Sequence, residues 1–232
     1  MSDITFFLPT RKGSQRVKDK NTKPFSNFSG GILELKLRQL ISSQCISQII
    51  LSTNDDVSMK IADEINIECN KIKVVRRPDE LCLSTTPLVD LIEYVPSITD
   101  TEHVIWGHTT TPFITSDDYD RAIEKYFDCL SKGYDSLVSV HPFQNFLIEP
   151  DSKQIFNTHQ KQSKWPRTQD LPILFEVNHG MFITSCSIYK NKKDRIGSNP
   201  YLYEMDRIRS FDIDWEDDFT IAEAIYEKIF RK

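Results

Sequence analysis

Along the chain, short continuous apolar runs alternate with longer stretches in which apolar positions recur every three to four residues. Ile4 to Leu8 is such a run, closed by Pro9, and Gln48 to Ser52, Lys73 to Val75, His103 to Trp106 and Ser136 to Val140 are others. Runs that stay apolar without alternating belong to strands covered on both faces. Between them, Ile32, Leu33, Leu35, Leu37, Leu40 and Ile41 cover one broad face of a helix, and further helices are expected over 57–67, 88–95 and 116–130. Ser116 is the expected N-cap of the last, with Asp117, Asp118 and Asp120 near the positive end of its dipole. After Phe182 the pattern predicts a Lys-rich loop at 190–195, a strand over 209–213 and a closing helix over 217–230.

Strands and helices that alternate in this way predict an α/β fold: a Rossmann-like, mostly parallel sheet flanked by helices, joined by right-handed crossovers. Ligands of such sheets bind beyond the carboxyl ends of the strands. The rhythm breaks over about 141–178, where Pro142, Pro150, Pro166 and Pro172 are dispersed among aromatic and polar residues. This stretch is expected to be an insertion within a single domain spanning 1–232. Its aromatics Phe143, Phe146, Phe156 and Trp165 suit a contact between subunits.

A chain of 232 residues can bury a substantial core without staples. The five cysteines are scattered and form no C-x-x-C pair or zinc-ligand spacing, which points to a reducing cytoplasm. No apolar run approaches the roughly 18 residues of a membrane span, and none follows a basic leader. The formal charge of −5 leaves no global footprint for nucleic acid. Locally the balance differs, because Arg11, Lys12, Arg16, Lys18, Lys20 and Lys23 face a single acid, Asp19. A small polyanion fits that cluster better than a duplex.

The cluster follows the first strand directly. Taken alone it reads as a solvated basic loop. At the carboxyl end of a parallel strand it also reads as a phosphate cradle, in which a Gly13-Ser14 turn aims backbone N–H groups at oxygens while Arg11, Arg16 and Lys20 neutralise charge. It has neither the P-loop nor the dinucleotide-binding glycine pattern. Near the other end, Asp212-Ile213-Asp214 places two carboxylates at i and i+2. They are either two exposed acids or hard oxygen ligands for Mg²⁺ carried by a nucleoside triphosphate. Glu216, Asp217 and Asp218 beside them read as acids of a helix start.

Together the two ends of the chain resemble the CMP-sialic acid synthetase family, the acylneuraminate cytidylyltransferases. Leu8-Pro9-Thr10-Arg11-Lys12-Gly13-Ser14-Gln15-Arg16 with Lys20-Asn21 resembles its opening signature, and Ser52-Thr53-Asn54-Asp55 its segment after the second strand. Arg77-Pro78-Asp79-Glu80-Leu81 is similar to the R-P-x-E-L motif, and Asp212-Ile213-Asp214 with Asp218-Phe219 and Ala222-Glu223 to the closing pattern. The resemblance implies a nucleotide-diphospho-sugar transferase type of fold, a homodimer formed through a small dimerisation and sugar-binding insertion, and a cytoplasmic enzyme. It implies transfer of CMP from CTP to a nine-carbon sugar acid, such as sialic, legionaminic or pseudaminic acid, with release of pyrophosphate. Arg11, Gly13, Ser14, Arg16, Lys20, Asn21 and Arg77 would bind CTP, and Asp212 and Asp214 would hold Mg²⁺. Arg11, Lys20, Asp212 and Asp214 would be catalytic. For the sugar, the resemblance points to His108, Thr110, Gln144, Arg167 and Asn178, with Arg167 the candidate for the carboxylate.

Departures from the family pattern fall on the sugar side. His108 stands where the family has glutamine and Ile114 where it has arginine; Gln144 and Glu176 replace residues that are basic in some members. Ser84 stands where many members have aspartate after R-P-x-E-L, but the nucleotide side is largely retained, which implies conserved chemistry on an altered, modified nonulosonate acceptor. The other readings are a cytidylyltransferase for 3-deoxy-manno-octulosonate and a nonenzymatic nucleotide-binding relative.

Overall fold

A computed structural model describes residues 3–158 and 165–231. The elements are β1 (Ile4–Pro9), α1 (Gly31–Ser42), β2 (Gln48–Thr53), α2 (Asp56–Asn66), β3 (Ile72–Arg76), α3 (Leu88–Ile98), β4 (His103–Trp106), α4 (Ser116–Leu130), β5 (Ser136–Phe143), β6 (Leu174–Ser185), α5 (Cys186–Lys192), β7 (Pro200–Glu204) and α6 (Glu216–Ile225). The strands form one seven-stranded sheet in the order β3-β2-β1-β4-β6-β5-β7. β6 runs antiparallel to both β4 and β5, and every other pairing is parallel.

Residue by residue, the strands feed two opposite cores, as the alternation of side chains across a pleated sheet requires. Phe6, Leu8, Ile49, Leu51 and Ile105 pack with Leu33, Leu37 and Tyr126, on the face covered by α1, α2 and α4. Their neighbours Phe7, Ile50, Val104 and Trp106 pack with Ile92, Val95 and Tyr189, on the face covered by α3 and α5. Both faces of β1, β2 and β4 are therefore dry, which explains why those strand runs are largely apolar. A third core joins Val17, Phe25, Ile32 and Leu35 from the chain's beginning to Phe113, Ile213, Phe219 and Ala222.

Several sequence expectations are corrected. Thr115, not Ser116, caps α4: its hydroxyl accepts from the Asp118 N–H while the Asp118 carboxylate accepts from the Thr115 N–H, a capping box. The expected loop at 190–195 begins inside α5, which runs to Lys192. Residues 209–213 form a loop and not a strand, and the strand in this region is β7. Ile213 supplied the apolar signal there, but it is buried in the third core instead of a sheet. Finally, the sheet continues into both ends of the expected insertion, since Pro142 pairs with Phe175 and Phe143 with Leu174. What leaves the sheet is the excursion 144–173, of which 159–164 lie outside the described residues.

Gly31 sets where the loop after β1 meets α1. Its φ is +70°, and a Cβ there would lie 2.3 Å from the carbonyl oxygen of Lys23 and 2.8 Å from that of Asn21. Gly133 has a similar φ of +87° but open space around it. Gly133→Ala should cost about 1 kcal/mol of backbone strain alone, whereas Gly31→Ala should cost roughly 2–4 kcal/mol because the loop backbone must also retreat. Urea unfolding of the two variants checks this; equal losses would mean that the close approach at Gly31 carries no energy.

Candidate functional site

Strand order reverses between β1 and β4, and a cavity of about 600 Å³ opens beyond their carboxyl ends. Arg11, Ser14, Arg16, Lys20, Asn21 and Arg77 all line it. Gly13, with φ +80°, makes the turn the loop needs and lines an adjoining cavity of about 820 Å³ together with Lys12, Lys18 and Lys23. The loop is held rather than free. The Lys12 N–H donates to Asn54 Oδ1 at 3.1 Å, and Thr109 Oγ1 donates to Asn21 Oδ1 at 2.8 Å. Arg77 is buried, donating to the Thr10 carbonyl and, at 3.1 Å, to Cys82 Sγ, so it braces the start of the loop. Arg11 donates to the Cys82 carbonyl at 3.2 Å.

Asp212 and Asp214 approach this loop from the far end of the chain. Ile213 between them is fully buried; its N–H donates to the Thr110 carbonyl at 2.9 Å and its carbonyl accepts from Lys20 Nζ at 2.7 Å. With Ile213 clamped, the flanking carboxylates are fixed on either side. Arg16 Nη2 lies 2.7 Å from Asp214 Oδ1, and Lys20 Nζ lies 3.9 Å from the same oxygen. Burial pushes the Lys20 ammonium down from its usual range, against the pull of Asp214 and Asp212. Burial, reinforced by Asp214, pushes the Asp212 carboxyl up despite a hydrogen bond from Thr110.

A third cavity, of about 640 Å³, borders the aspartates on their other side. Gln144, Asn178, Glu176, His179 and Arg207 line it together with Asp212 and Asp214. His108 and Thr110, expected on the sugar side, line the first cavity instead. The His108 and His179 rings lie 6.1 Å apart, edge to face, and link the two. Withdrawal from water, with Arg195 adding to it, pushes the His108 imidazole down to about 3, so it is neutral at any physiological pH.

Gln144 and Asn178 spend their amides on the protein itself. Gln144 donates to the Gln169 and Leu171 carbonyls, and Asn178 joins Ser139, the Gly180 N–H and Ser210. Arg167 lies outside the three cavities on an exposed loop, where its guanidinium grips Asp170 at 2.8 and 3.0 Å. Sequence reasoning missed Arg207, which carries no motif, and Lys36, which a lone lysine on the apolar face of α1 could have signalled.

A bound Mg²⁺ fits the pair of aspartates in one respect that the structure makes concrete. Asp212 Oδ1 is buried and has no hydrogen-bond partner, a costly arrangement for an acceptor that a cation would relieve. Among the described residues no three His, Cys, Asp or Glu side chains gather into a metal cage. Mg²⁺ at a triphosphate needs none, because phosphate and water oxygens complete its shell.

The family described as Cytidylyltransferase matches residues 5–230 of the chain. The N-acylneuraminate cytidylyltransferase of Escherichia coli O18:K1:H7 (strain RS218 / NMEC) is 26% identical over 230 residues, covering 97% of this chain and 52% of that protein. The enzyme of the same description from Streptococcus agalactiae serotype III (strain NEM316) is 25% identical over 227 residues, covering 91% and 50%. The chain thus spans about half the length of the curated relatives it matches. Among solved structures, a CMP:2-keto-3-deoxy-manno-octonic acid synthetase complexed with CTP superposes with a TM-score of 0.67 at 10% identity, covering 98% of this chain and 99% of that one. The 4-diphosphocytidyl-2C-methyl-D-erythritol synthase of Anaerococcus prevotii DSM 20548 gives 0.64 at 13% identity, covering 97% and 96%. At these identities the two structures establish the fold.

Beneath the first cavity, fully buried Lys36 donates from Nζ to the Thr111 carbonyl at 2.7 Å and to the Tyr119 hydroxyl at 2.9 Å. Burial pushes its ammonium from 10.5 down to about 7, with Asp118 opposing. Between those values the unfolded chain binds the proton that the folded chain sheds, so this contribution to stability is present at high pH and is lost as pH falls. The stability of the native chain relative to Lys36→Met should therefore rise by about 1 kcal/mol per pH unit between pH 7.5 and 9.5. Denaturant unfolding across that range measures it, and a gap independent of pH would refute the assignment.

Proposed function

Because the chain belongs to the cytidylyltransferase family, we propose that it transfers CMP from CTP to the anomeric hydroxyl of a sialic-acid-like nonulosonic acid, releasing pyrophosphate. One observation carries this reading: Lys20 Nζ, on the basic loop after β1, donates to the carbonyl between Asp212 and Asp214. The phosphate-binding and carboxylate halves of the site are thereby a single unit, with a cavity on each side.

In this reading the triphosphate lies along Arg11, Ser14, Arg16 and Lys20, and the acceptor enters the cavity lined by Gln144, Glu176 and His179. The hydroxyl oxygen attacks the α-phosphorus and the bond to the β-phosphate oxygen breaks. Arg11 and Lys20 stabilise the charge that accumulates on the equatorial and departing oxygens. Mg²⁺ held by Asp212 and Asp214 supplies further neutralisation of the phosphates when bound. Neutral His108 contributes hydrogen bonding without adding charge. Arg16 and Lys20, paired with Asp214 in the free protein, exchange that partner in part for phosphate.

The acceptor is read as a modified nonulosonate, on the strength of the curated relatives' descriptions and of the departures at His108, Gln144 and Glu176. The fold likeness to the octonic acid synthetase does not favour the eight-carbon acceptor, since the erythritol-type synthase scores almost as high. A homodimer built through the excursion 144–173 is part of the proposal; Phe156 and Trp165 are exposed there, at 60% and 63%. So is a cytoplasmic location. Among the described residues no helix is long and apolar enough to cross a membrane.

Incubating the chain with CTP, Mg²⁺ and, separately, N-acetylneuraminic, legionaminic, pseudaminic and 3-deoxy-manno-octulosonic acids should give a CMP-sugar of matching mass with at least one nine-carbon acid. Product from the octulosonate alone would overturn the acceptor, and none from any acid would overturn the enzyme. Asp212→Asn should lower turnover about a hundredfold or more. The same change should raise the melting temperature in metal-free buffer at neutral pH, since it removes a charge that folding buries. Undiminished turnover would remove Asp212 from the reaction.

A further inference from the structure

The acceptor of the proposed reaction is an acid, and its carboxylate needs a cationic partner in a cavity that four acids help to line. Glu176, Asp212, Asp214 and Asp218 all face the 640 Å³ cavity, and Arg207 is the only lysine or arginine among its lining residues. Building on the reading above, we propose that Arg207 is the residue that binds the acceptor's carboxylate and so selects a sugar acid over a neutral sugar.

The loop that carries Arg207 is fixed while its side chain is unused. Asp206 Oδ1 accepts from the Ile208 and Arg209 N–H groups at 2.9 and 3.0 Å, and the Ser210 N–H donates to the Asp206 carbonyl at 2.9 Å. One flank is tied down where the Met205 N–H donates to the Val140 carbonyl and His141 Nδ1 donates to the Met205 carbonyl. Asn178 fixes the other by donating to Ser210 Oγ at 2.9 Å. The two arginines of this turn divide the work. Arg209 Nε lies 2.9 Å from both oxygens of buried Asp118, and its Nη1 donates to Asp206, so its charge is consumed in anchoring the loop to α4. Arg207 makes no hydrogen bond or ion pair among the described residues.

The other cations near the acceptor are committed. Arg16 is paired with Asp214, Lys20 with the Ile213 carbonyl, and Arg167 with Asp170 outside the cavity. An unpaired guanidinium on a rigid turn, in a cavity that four carboxylates also line, supplies the bidentate donor a carboxylate ligand requires and offsets the repulsion it would meet. A neutral sugar gains nothing from it. In chemical terms Arg207 is a specificity residue: it grips a group that takes no part in phosphorus–oxygen bond making.

The test uses the full chain with CTP, Mg²⁺ and whichever of the four acids gives product, alongside the methyl ester of the same acid. Arg207→Ala should raise the KM for the acid roughly ten- to a hundredfold, with kcat and the KM for CTP changed less than about threefold. Arg207→Lys should recover part of the loss. The native chain should discriminate against the ester by a similar factor, and Arg207→Ala should treat acid and ester nearly alike. If the native chain is active but Arg207→Ala keeps its KM, or if Arg167→Ala and not Arg207→Ala raises it, the inference is overturned while the transferase reading stands. If the native chain makes product from no acid, the transferase reading fails first and takes this assignment with it. Circular dichroism of Arg207→Ala separates either result from misfolding, which the exposed and unpartnered side chain gives no reason to expect.

Discussion

Everything at the site hangs on a small third core in which the two ends of the chain are buried against each other. Val17, Phe25 and Leu35 from one end meet Ile213, Phe219 and Ala222 from the other, and Phe25 and Phe219 touch edge to face at 5.5 Å. Burying side chains of this size is worth roughly 2 kcal/mol each, so the cluster as a whole outweighs any one polar contact above it. The polar contacts inherit their geometry from it. Lys20 reaches a carbonyl 193 residues away, and the Ser26 N–H reaches Glu223, because the apolar residues beneath have already brought those backbones together. A loop rich in like charge would otherwise splay into water.

Above that core, charge is arranged in exchangeable pairs. Arg16 with Asp214 and Lys23 with Glu216 are substantially exposed, so each contributes little to stability and can be given up cheaply. The buried groups are of a different kind. Lys36, Arg77 and Asp118 each have firm protein partners and set backbone positions, while the buried oxygen of Asp212 has none. Exposed pairs thus form an adaptable layer, and buried groups form the frame.

The parallel half of the fold was legible because buried strands announce themselves as apolar runs, and β1, β2 and β4 do so. The grouping of Arg11, Ser14, Lys20 and Asn21 around one cavity was legible because they sit in one contiguous loop whose place after β1 follows from sheet topology. β6 was missed because its first residues lie among the prolines and aromatics of the excursion, and four of its first six residues are exposed, Phe175 and Val177 at 39% each. The strand expected over 209–213 failed because period-two alternation around Ile213 has the same appearance whether a residue enters a sheet or a satellite core. For the 640 Å³ cavity no contiguous segment carries the information. Gln144, His179 and Arg207 come from three separate elements, and no spacing along the chain encodes how the sheet gathers them.

One consequence follows from the direction of β6. A strand that runs against its neighbours presents its beginning, not its end, at the edge of the sheet where ligands bind, and here that beginning is joined through 144–173 to the end of β5. The excursion therefore leaves and re-enters the sheet at adjacent points on its functional rim. It can lengthen, shorten or change composition without shifting any strand's register, while Gln144 and Asn145 at its start lie on the rim of the 640 Å³ cavity. Such a joint separates two kinds of change: the paired strands form a frame that tolerates little alteration, and the segment between them is free to diverge.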